Sequence, residues 1–332
     1  VLSRFDLWSR YVARSGRPII IGPWREEIGS EILYWLSWVA QWCHCYQIPR
    51  ERLIAVSRGG AAHWYGAGAQ VELYDYWPPD VLRIEALRDA IERGSVKQTR
   101  ETAMERTLYP TITTRLGVRR YHILHPRHMY ADIAGWADAT MPMTTLLGKL
   151  RFMSIPTPPV PLGIVLPERF ACVRFYQRHT WMFTEEVKAY CTELVGNLAK
   201  HIPVVIIGSG HHHDDHLDLN ITGPNITSLI DVFPVRENLA LQSAVMAKCV
   251  FFVGTYGGTM QLASRLGKPS AGFYLKFTGT AYNHKVLTEW LALQQGVPIW
   301  IGTPQQAELL RSVVSVPLEL PEPVRSSSGV MG

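Results

Sequence analysis

VGTYGGTMQLASRLGKPSAGFY, residues 253–274, reads as a strand that stops at a glycine-rich turn, becomes a helix over TMQLASRLG and returns to a strand at SAGFYL. Glycines let the backbone turn tightly and approach a ligand, and the N–H groups and dipole at the helix start favour a phosphate. Thr255 and Thr259 add hydroxyl donors to that turn. The pattern is neither a P-loop, since no Gly-Lys-Ser/Thr follows, nor the dinucleotide fingerprint with three spaced glycines. An ordinary strand-to-helix corner has the same local look, so the rest of the chain must decide.

Outward from this stretch the same alternation repeats. Before it, FACVRFY reads as a strand, TEEVKAYCTELVGNLAKH as an amphipathic helix, PVVIIGSG as a strand, ENLALQSAVMAKC as a helix and VFFVGTY as a strand; VLTEWLALQQ follows as a helix. The segment SIPTPPVPLGIVLPER, 154–169, is too rich in proline for a helix or a central strand and reads as a linker. In the first half, Ile19–Ile21 and Leu53–Val56 read as strands broken by Gly22-Pro23 and Gly59-Gly60. An acidic-aromatic loop then ends at Pro78-Pro79, an amphipathic helix follows, and another strand lies near His122–Leu124 before a polar turn. Strands alternating with helices predict an α/β protein with mostly parallel sheets, two Rossmann-like domains facing a cleft. The expected boundaries are 1–153, a linker at 154–168, a second domain at 169–320 and a disordered tail at 321–332.

Composition agrees with two cores. The chain has 332 residues, 47% apolar and 18% charged, more than one core normally fills. A net charge of +5 with scattered basic residues fits an anionic ligand or membrane surface and falls short of a nucleic-acid footprint. Five cysteines, mostly in apolar stretches, argue against a disulfide framework and for a reducing compartment. Cys43 and Cys45 flank His44, but a Cys-His-Cys run on one helix cannot close a zinc site alone. Nothing near the start resembles a signal peptide, and the longest apolar run, residues 32–43, is short of the roughly 20 a spanning helix needs. A cytoplasmic protein is expected, with peripheral membrane contact permitted by its basic, Trp-rich character.

GTYGGTMQLASRLGKPSAGFY resembles the turn near the C-terminal end of GT-B glycosyltransferases, where a glycine-rich strand–helix junction holds the donor phosphates. Over roughly 165–290 other pieces match in order, and the likeness extends to bacterial transferases that build surface polysaccharides such as O-antigen and capsule. The resemblance implies donor and phosphate contacts at Gly254, Thr255, Tyr256, Gly257, Gly258 and Thr259. It further implies Arg174 and Arg178 on the donor phosphate, Ser209 and Gly210 after a strand, and Glu237 on the ribose or base. GPWREEIGSEILYW is similar to the first strand–helix turn of the acceptor half, which implicates Gly22, Trp24 and Gly29. The His-x-Arg-Arg-Gly-Asp run of protein-fucosylating relatives is absent.

The implied activity is sugar transfer from a nucleotide-sugar donor to a saccharide or lipid-linked acceptor. Such a reaction needs a base for the acceptor hydroxyl. Glu26, Glu27 and Glu31 stand at the loop and helix start, with Glu27 the first choice, although acidic residues there also complement the helix dipole. Arg174, Arg178 or Lys268 would neutralise the leaving phosphate, so no tightly bound cofactor and no divalent metal is expected. His125 and Tyr130 supply rings that suit an acceptor groove, or simple loop packing. HHHDDH, His211–His216, could line the nucleotide pocket, stand solvated or bind metal, although adjacent residues cannot all face one ion. A nucleotide-sugar epimerase and a two-lobed binding protein share this kind of architecture, and function lies in the site.

Overall fold

The computed structural model describes residues 3–94, 97–209, 216–277, 281–314, 316–317 and 320. Gly210, His211–Asp215 and the expected tail at 321–332 lie outside the described residues. The chain divides into two compact units, Val1–Pro159 with Pro234–Ala244, and Val160–Phe233 with Val245–Gly332.

The first unit is built on a parallel sheet of β1 (Ile19–Ile21), β2 (Leu53–Ser57), β3 (Ala69–Glu72) and β4 (His122–Leu124) in the order β3-β2-β1-β4. Ile20 pairs with Ile54 on one side and Ile123 on the other. β1 and β2 are buried along their whole length, which is why they read as unbroken apolar runs and not as alternating ones. From the end of β1 the chain enters a continuous helical stretch, Ile28–Ser30, a π turn at Glu31–Trp35, and Leu36–Tyr46, most of whose side chains are buried.

The second unit carries β5 (Ala171–Arg174), β6 (Val204–Ile206), β7 (Ile226–Ser228), β8 (Phe251–Thr255), β9 (Ser270–Phe273) and β10 (Ile299–Gly302), all parallel, in the order β10-β9-β8-β5-β6-β7. The helix Glu185–Ala199 starts at Thr184, whose side chain accepts from Val187 N–H, with Glu185 and Glu186 in its first turn. Its Val187, Cys191, Leu194 and Leu198 belong to the core that also contains Ala171, Val173 and Val253 of the sheet.

Each sheet reverses its winding once, between β1 and β4 and between β5 and β8. Chains leaving such neighbouring strands diverge, and the opening beyond their carboxyl ends is where open α/β sheets bind ligands.

The short edge strands β7 and β10 were not expected, nor was the helix Pro126–Asp132 where a polar turn was read. The helix Ala103–Arg115 also tolerates an internal Pro110. A larger difference interrupts the expected 169–320 domain, because residues 234–244 pack with the first unit. Gly59 O accepts from Leu239 N at 2.9 Å and Ala240 N at 3.0 Å, and Trp64 Nε1 donates to Ser243 Oγ at 3.2 Å. Gly60 has φ +78°, and a Cβ there would lie 2.7 Å from Ala240 Cβ. The Gly59-Gly60 pair therefore makes room for a helix that arrives late in the chain.

All five cysteines are free. No helix among the described residues is long and apolar enough to cross a membrane, and no group of three or more His, Cys, Asp or Glu among them could hold a metal ion.

Candidate functional site

In the second unit the ends of β5 and β8 are fastened together before they part. Gly254 lies so close to β5 that a Cβ would fall 2.0 Å from Arg174 O. Thr255 Oγ1 accepts from Tyr176 N at 2.9 Å and donates to Tyr176 O at 3.0 Å, so this hydroxyl is a staple between the strands. Tyr256 is buried, its N–H donating to Phe273 O at 2.8 Å.

Arg174 is buried, and its guanidinium is committed to protein groups. Nε donates to Asp218 Oδ1 at 2.8 Å, Nη1 donates to Thr259 Oγ1 at 2.9 Å, and the group lies 4.9 Å from the centre of the Tyr176 ring. Asp218 Oδ2 in turn accepts from Ser209 N at 2.7 Å and Ser209 Oγ at 3.1 Å. Burial opposes the charge of Asp218, but Arg174 outweighs it and holds the carboxyl below its ordinary range. Arg174, Ser209 and Thr259 thus form one strut that ties β5, the segment after β6 and the helix after β8.

That helix, Gly258–Arg265, begins at Gly257, whose backbone is extended. A Cβ on Gly257 would lie 2.1 Å from the Tyr176 hydroxyl and 2.4 Å from Arg178 Nη1. The half-buried Arg178 also donates from Nη1 to Tyr256 O at 3.3 Å. A phenol hydroxyl, a guanidinium and a helix start with its first-turn N–H groups therefore share one spot, the constellation that attracts an anion. His216 places its ring 4.7 Å from that of Tyr176. Glu237 is not in this cluster; it is exposed in the 234–244 segment, packed by its backbone near Gly60 of the first unit.

In the first unit the loop after β1 is threaded between its neighbours. Gly22 N donates to Leu124 O and Trp24 N to Val56 O, each at 3.0 Å. A Cβ on Gly22, whose φ is +106°, would lie 2.5 Å from Val56 O. Trp24 is fully buried between Trp35, at 6.1 Å, and Tyr130, at 6.4 Å, and so packs the core instead of offering a face to a sugar. Gly29 is likewise buried.

The three glutamates have three different environments. Glu31 lies fully buried, accepting from Ser57 Oγ and Tyr65 OH at 2.7 Å each, with Arg58 Nη1 at 3.7 Å. Glu26 is buried too, accepting from Gln98 N and Tyr130 OH, with Lys97 Nζ at 3.7 Å. Burial raises the proton affinity of both. Glu27 is exposed at the cap position of the helix, its carbonyl accepting from Glu31 N at 3.2 Å.

Behind Glu26 runs a second buried network. Arg25 Nε donates to Glu105 Oε1 at 2.8 Å, Arg25 N donates to Gln98 Oε1 at 2.9 Å, and Asp89 stands 3.4 Å from Arg25 Nη2. His125 is buried as the cap of Pro126–Asp132, its Nδ1 accepting from Arg127 N at 3.0 Å and its Nε2 3.3 Å from Glu105 Oε2. It is a structural histidine, not a surface for an acceptor. Tyr130 remains half-buried, with Lys97 5.9 Å from its ring centre. Tyr176, Asp218, Lys97 and Gln98 escaped the sequence reading, since none sits in a glycine-marked turn.

No family model matches the chain, and no curated protein matches it. Among solved structures it is similar to the Escherichia coli heptosyltransferase WaaC with ADP, at 13% identity and a TM-score of 0.42, covering 86% of this chain and 93% of that one. It is similar also to a glycosyl transferase family 9 protein from Veillonella parvula, at 10% identity and a TM-score of 0.45, covering 89% and 88%. A third is the E. coli ADP-heptose LPS heptosyltransferase II, at 11% identity and a TM-score of 0.43, covering 85% and 100%. At this level of likeness the functional reading rests on the geometry of the site.

Proposed function

We propose that the chain is a GT-B-type glycosyltransferase, moving a sugar from a nucleotide-sugar donor to a saccharide or lipid-linked acceptor. One observation carries this reading: Tyr176 OH, Arg178 and the start of Gly258–Arg265 converge on Gly257 at the switch point of the six-stranded sheet. That spot suits the diphosphate of the donor, and the Arg174–Asp218–Thr259 strut fixes its walls.

Glu27 is our choice of base, because it is the exposed member of its trio while Glu26 and Glu31 are locked in buried networks. In the transfer its carboxylate takes the proton of the acceptor hydroxyl, the acceptor oxygen bonds to the anomeric carbon, and the carbon–phosphate oxygen bond breaks with its electron pair going to the phosphate. Arg178 and the helix start stabilise that charge in place of a divalent metal. Free thiols suit a cytoplasmic setting. The exposed stripe of Val81, Ile84, Leu87 and Ile91 on the helix Pro79–Arg93 is the face we assign to peripheral contact with a bilayer.

The test is thermal shift of the purified protein against UDP, GDP, ADP, CMP and dTDP, followed by product analysis with the nucleotide-sugar of the stabilising base. One nucleotide that raises the midpoint in wild type but not in Gly257→Asp, with sugar joined to an acceptor, supports the reading. A rearranged donor as the product would make the chain an epimerase, and no shift with any nucleotide would end the nucleotide-sugar reading.

A further inference from the structure

The first unit holds a cavity of about 570 Å³, within the usual span of roughly 300 to 1,000 Å³ for small-molecule sites. It lies among the helices Arg4–Ser15, Leu36–Tyr46 and Pro126–Asp132 and the turn at Gly148-Lys149. None of the residues assigned above to phosphate or proton chemistry lines it.

Its walls combine two kinds of surface. One is aromatic: the half-buried Phe5 and Tyr46 line it together with Trp38 and Trp42, each only 3% exposed, and Phe5 packs 5.2 Å from the His128 ring and 5.8 Å from Trp38. The other is a set of polar groups already held in place. Asp132 accepts from Trp38 Nε1 at 2.9 Å and from Lys149 Nζ at 2.5 Å. Asp6 accepts from Tyr46 OH at 2.7 Å, and Gln41 Nε2 donates to Gly148 O at 3.2 Å. Asp6 also accepts from Ser3 N at 2.9 Å and Ser3 Oγ at 2.7 Å, so of the roughly four acceptor positions of a carboxylate Asp6 keeps about one and Asp132 about two, and the Gln41 carbonyl is a third acceptor.

We infer that this cavity is a saccharide-binding pocket, separate from the donor site. Two carboxylates against one lysine disfavour a phosphate or nucleotide, whose charge would be repelled. A purely apolar ligand would leave the polar side desolvated and unmatched. A neutral pyranose meets both demands, since its C–H faces suit aromatic rings and its hydroxyls each donate and accept. The inference does not depend on the transferase reading.

Trp38 and Trp42 line the cavity, so ligand entry changes their emission. The experiment titrates wild type, Gln41→Leu, Asp132→Asn and Gly257→Asp with glucose, galactose, N-acetylglucosamine, lactose and maltose, following tryptophan fluorescence in protein shown to be folded by circular dichroism. The expected result is a saturable change with at least one sugar, whose Kd rises tenfold or more in Gln41→Leu and Asp132→Asn and stays unchanged in Gly257→Asp. No saturable response to any of the sugars would overturn the inference. So would a response indifferent to Gln41 and Asp132, or one lost in Gly257→Asp, which would put the sugar elsewhere.

Discussion

Glu27 and Gly257 are both small features of a chain turn, and they are expected to fail in different ways. Glu27→Gln keeps the exposed side chain's shape and removes its basicity, so transfer should drop by about 10² to 10⁴-fold, with stability within about 0.5 kcal/mol of wild type. Steady-state rates beside a denaturation curve check this, and an unaltered rate would take Glu27 out of the chemistry. Gly257→Ala puts a methyl where Tyr176 OH and Arg178 Nη1 stand; Arg178 can swing aside but Tyr176 is buried, so nucleotide stabilisation should vanish and the unliganded thermal midpoint should fall as well. Asp218→Asn is the structural counterpart. It strips the buried Arg174 of its counter-charge, and a loss of roughly 3 to 5 kcal/mol in a urea titration is expected for such a broken pair. The glycines were legible because a turn written with Gly-Gly has few readings. Their physical reasons were not, since Gly254 is needed for strand contact and Gly257 for space under two side chains. Asp218 was invisible because its partner Arg174 is far away in the chain.

Buried central strands came through the sequence most clearly, although β10, buried at all but its first position, did not. β1, β2, β5, β6 and β8 are apolar runs covered on both faces, whereas β7 and β3 sit at sheet edges, are only partly buried and give little period to read. The helix Ala103–Arg115 was missed because Pro110 interrupts its pattern. It begins with a capping box in which Thr102 accepts from Glu105 N and Glu105 accepts from Thr102 N. Burial pushes the Glu105 carboxyl up, but His125 and Arg25 outweigh it and bring it down to about 2. A carboxyl lowered on folding contributes stability above its unfolded value of about 4.3. That contribution fades as pH falls from there toward 2, and Asp218 acts in the same direction. Glu26 and Glu31, whose carboxyls burial raises, act the other way, so below about pH 4.5 the wild-type denaturant midpoint should fall relative to that of Glu105→Gln; parallel curves would show that Glu105 does not contribute. The helix Pro79–Arg93 makes a second prediction at this scale. With Val81, Ile84, Leu87 and Ile91 exposed on one arc, Ile84→Ser with Leu87→Ser should release the protein from phosphatidylglycerol-containing vesicles in co-sedimentation. Equal pelleting of wild type and variant would remove that face from membrane contact.

At the scale of the molecule, alternation of strand and helix was enough to foresee two α/β units with parallel sheets, since nothing else threads a parallel sheet so economically. A nucleotide at a hundred times its Kd should stabilise the unit that binds it by about 2.7 kcal/mol, or roughly 5 to 10 °C for a unit of this size. With a donor site built within Val160–Phe233 and Val245–Gly332, calorimetry should show the shift in one transition and leave a second in place; displacement of both would mean that the units melt together. The exchanged segment could not have been foreseen, because ENLALQSAVMAKC reads as one more helix of the domain in which it is written. Its docking on Gly59-Gly60 has a consequence for how the chain is made. The ribosome must add residues 160–233 before the first unit receives its last piece, an interval of roughly 4 to 15 s at about 5 to 20 residues per second. Throughout that interval the nascent first unit shows an uncovered face at Gly59-Gly60, open to chaperones, and its native state becomes available only after much of the second unit has left the exit tunnel.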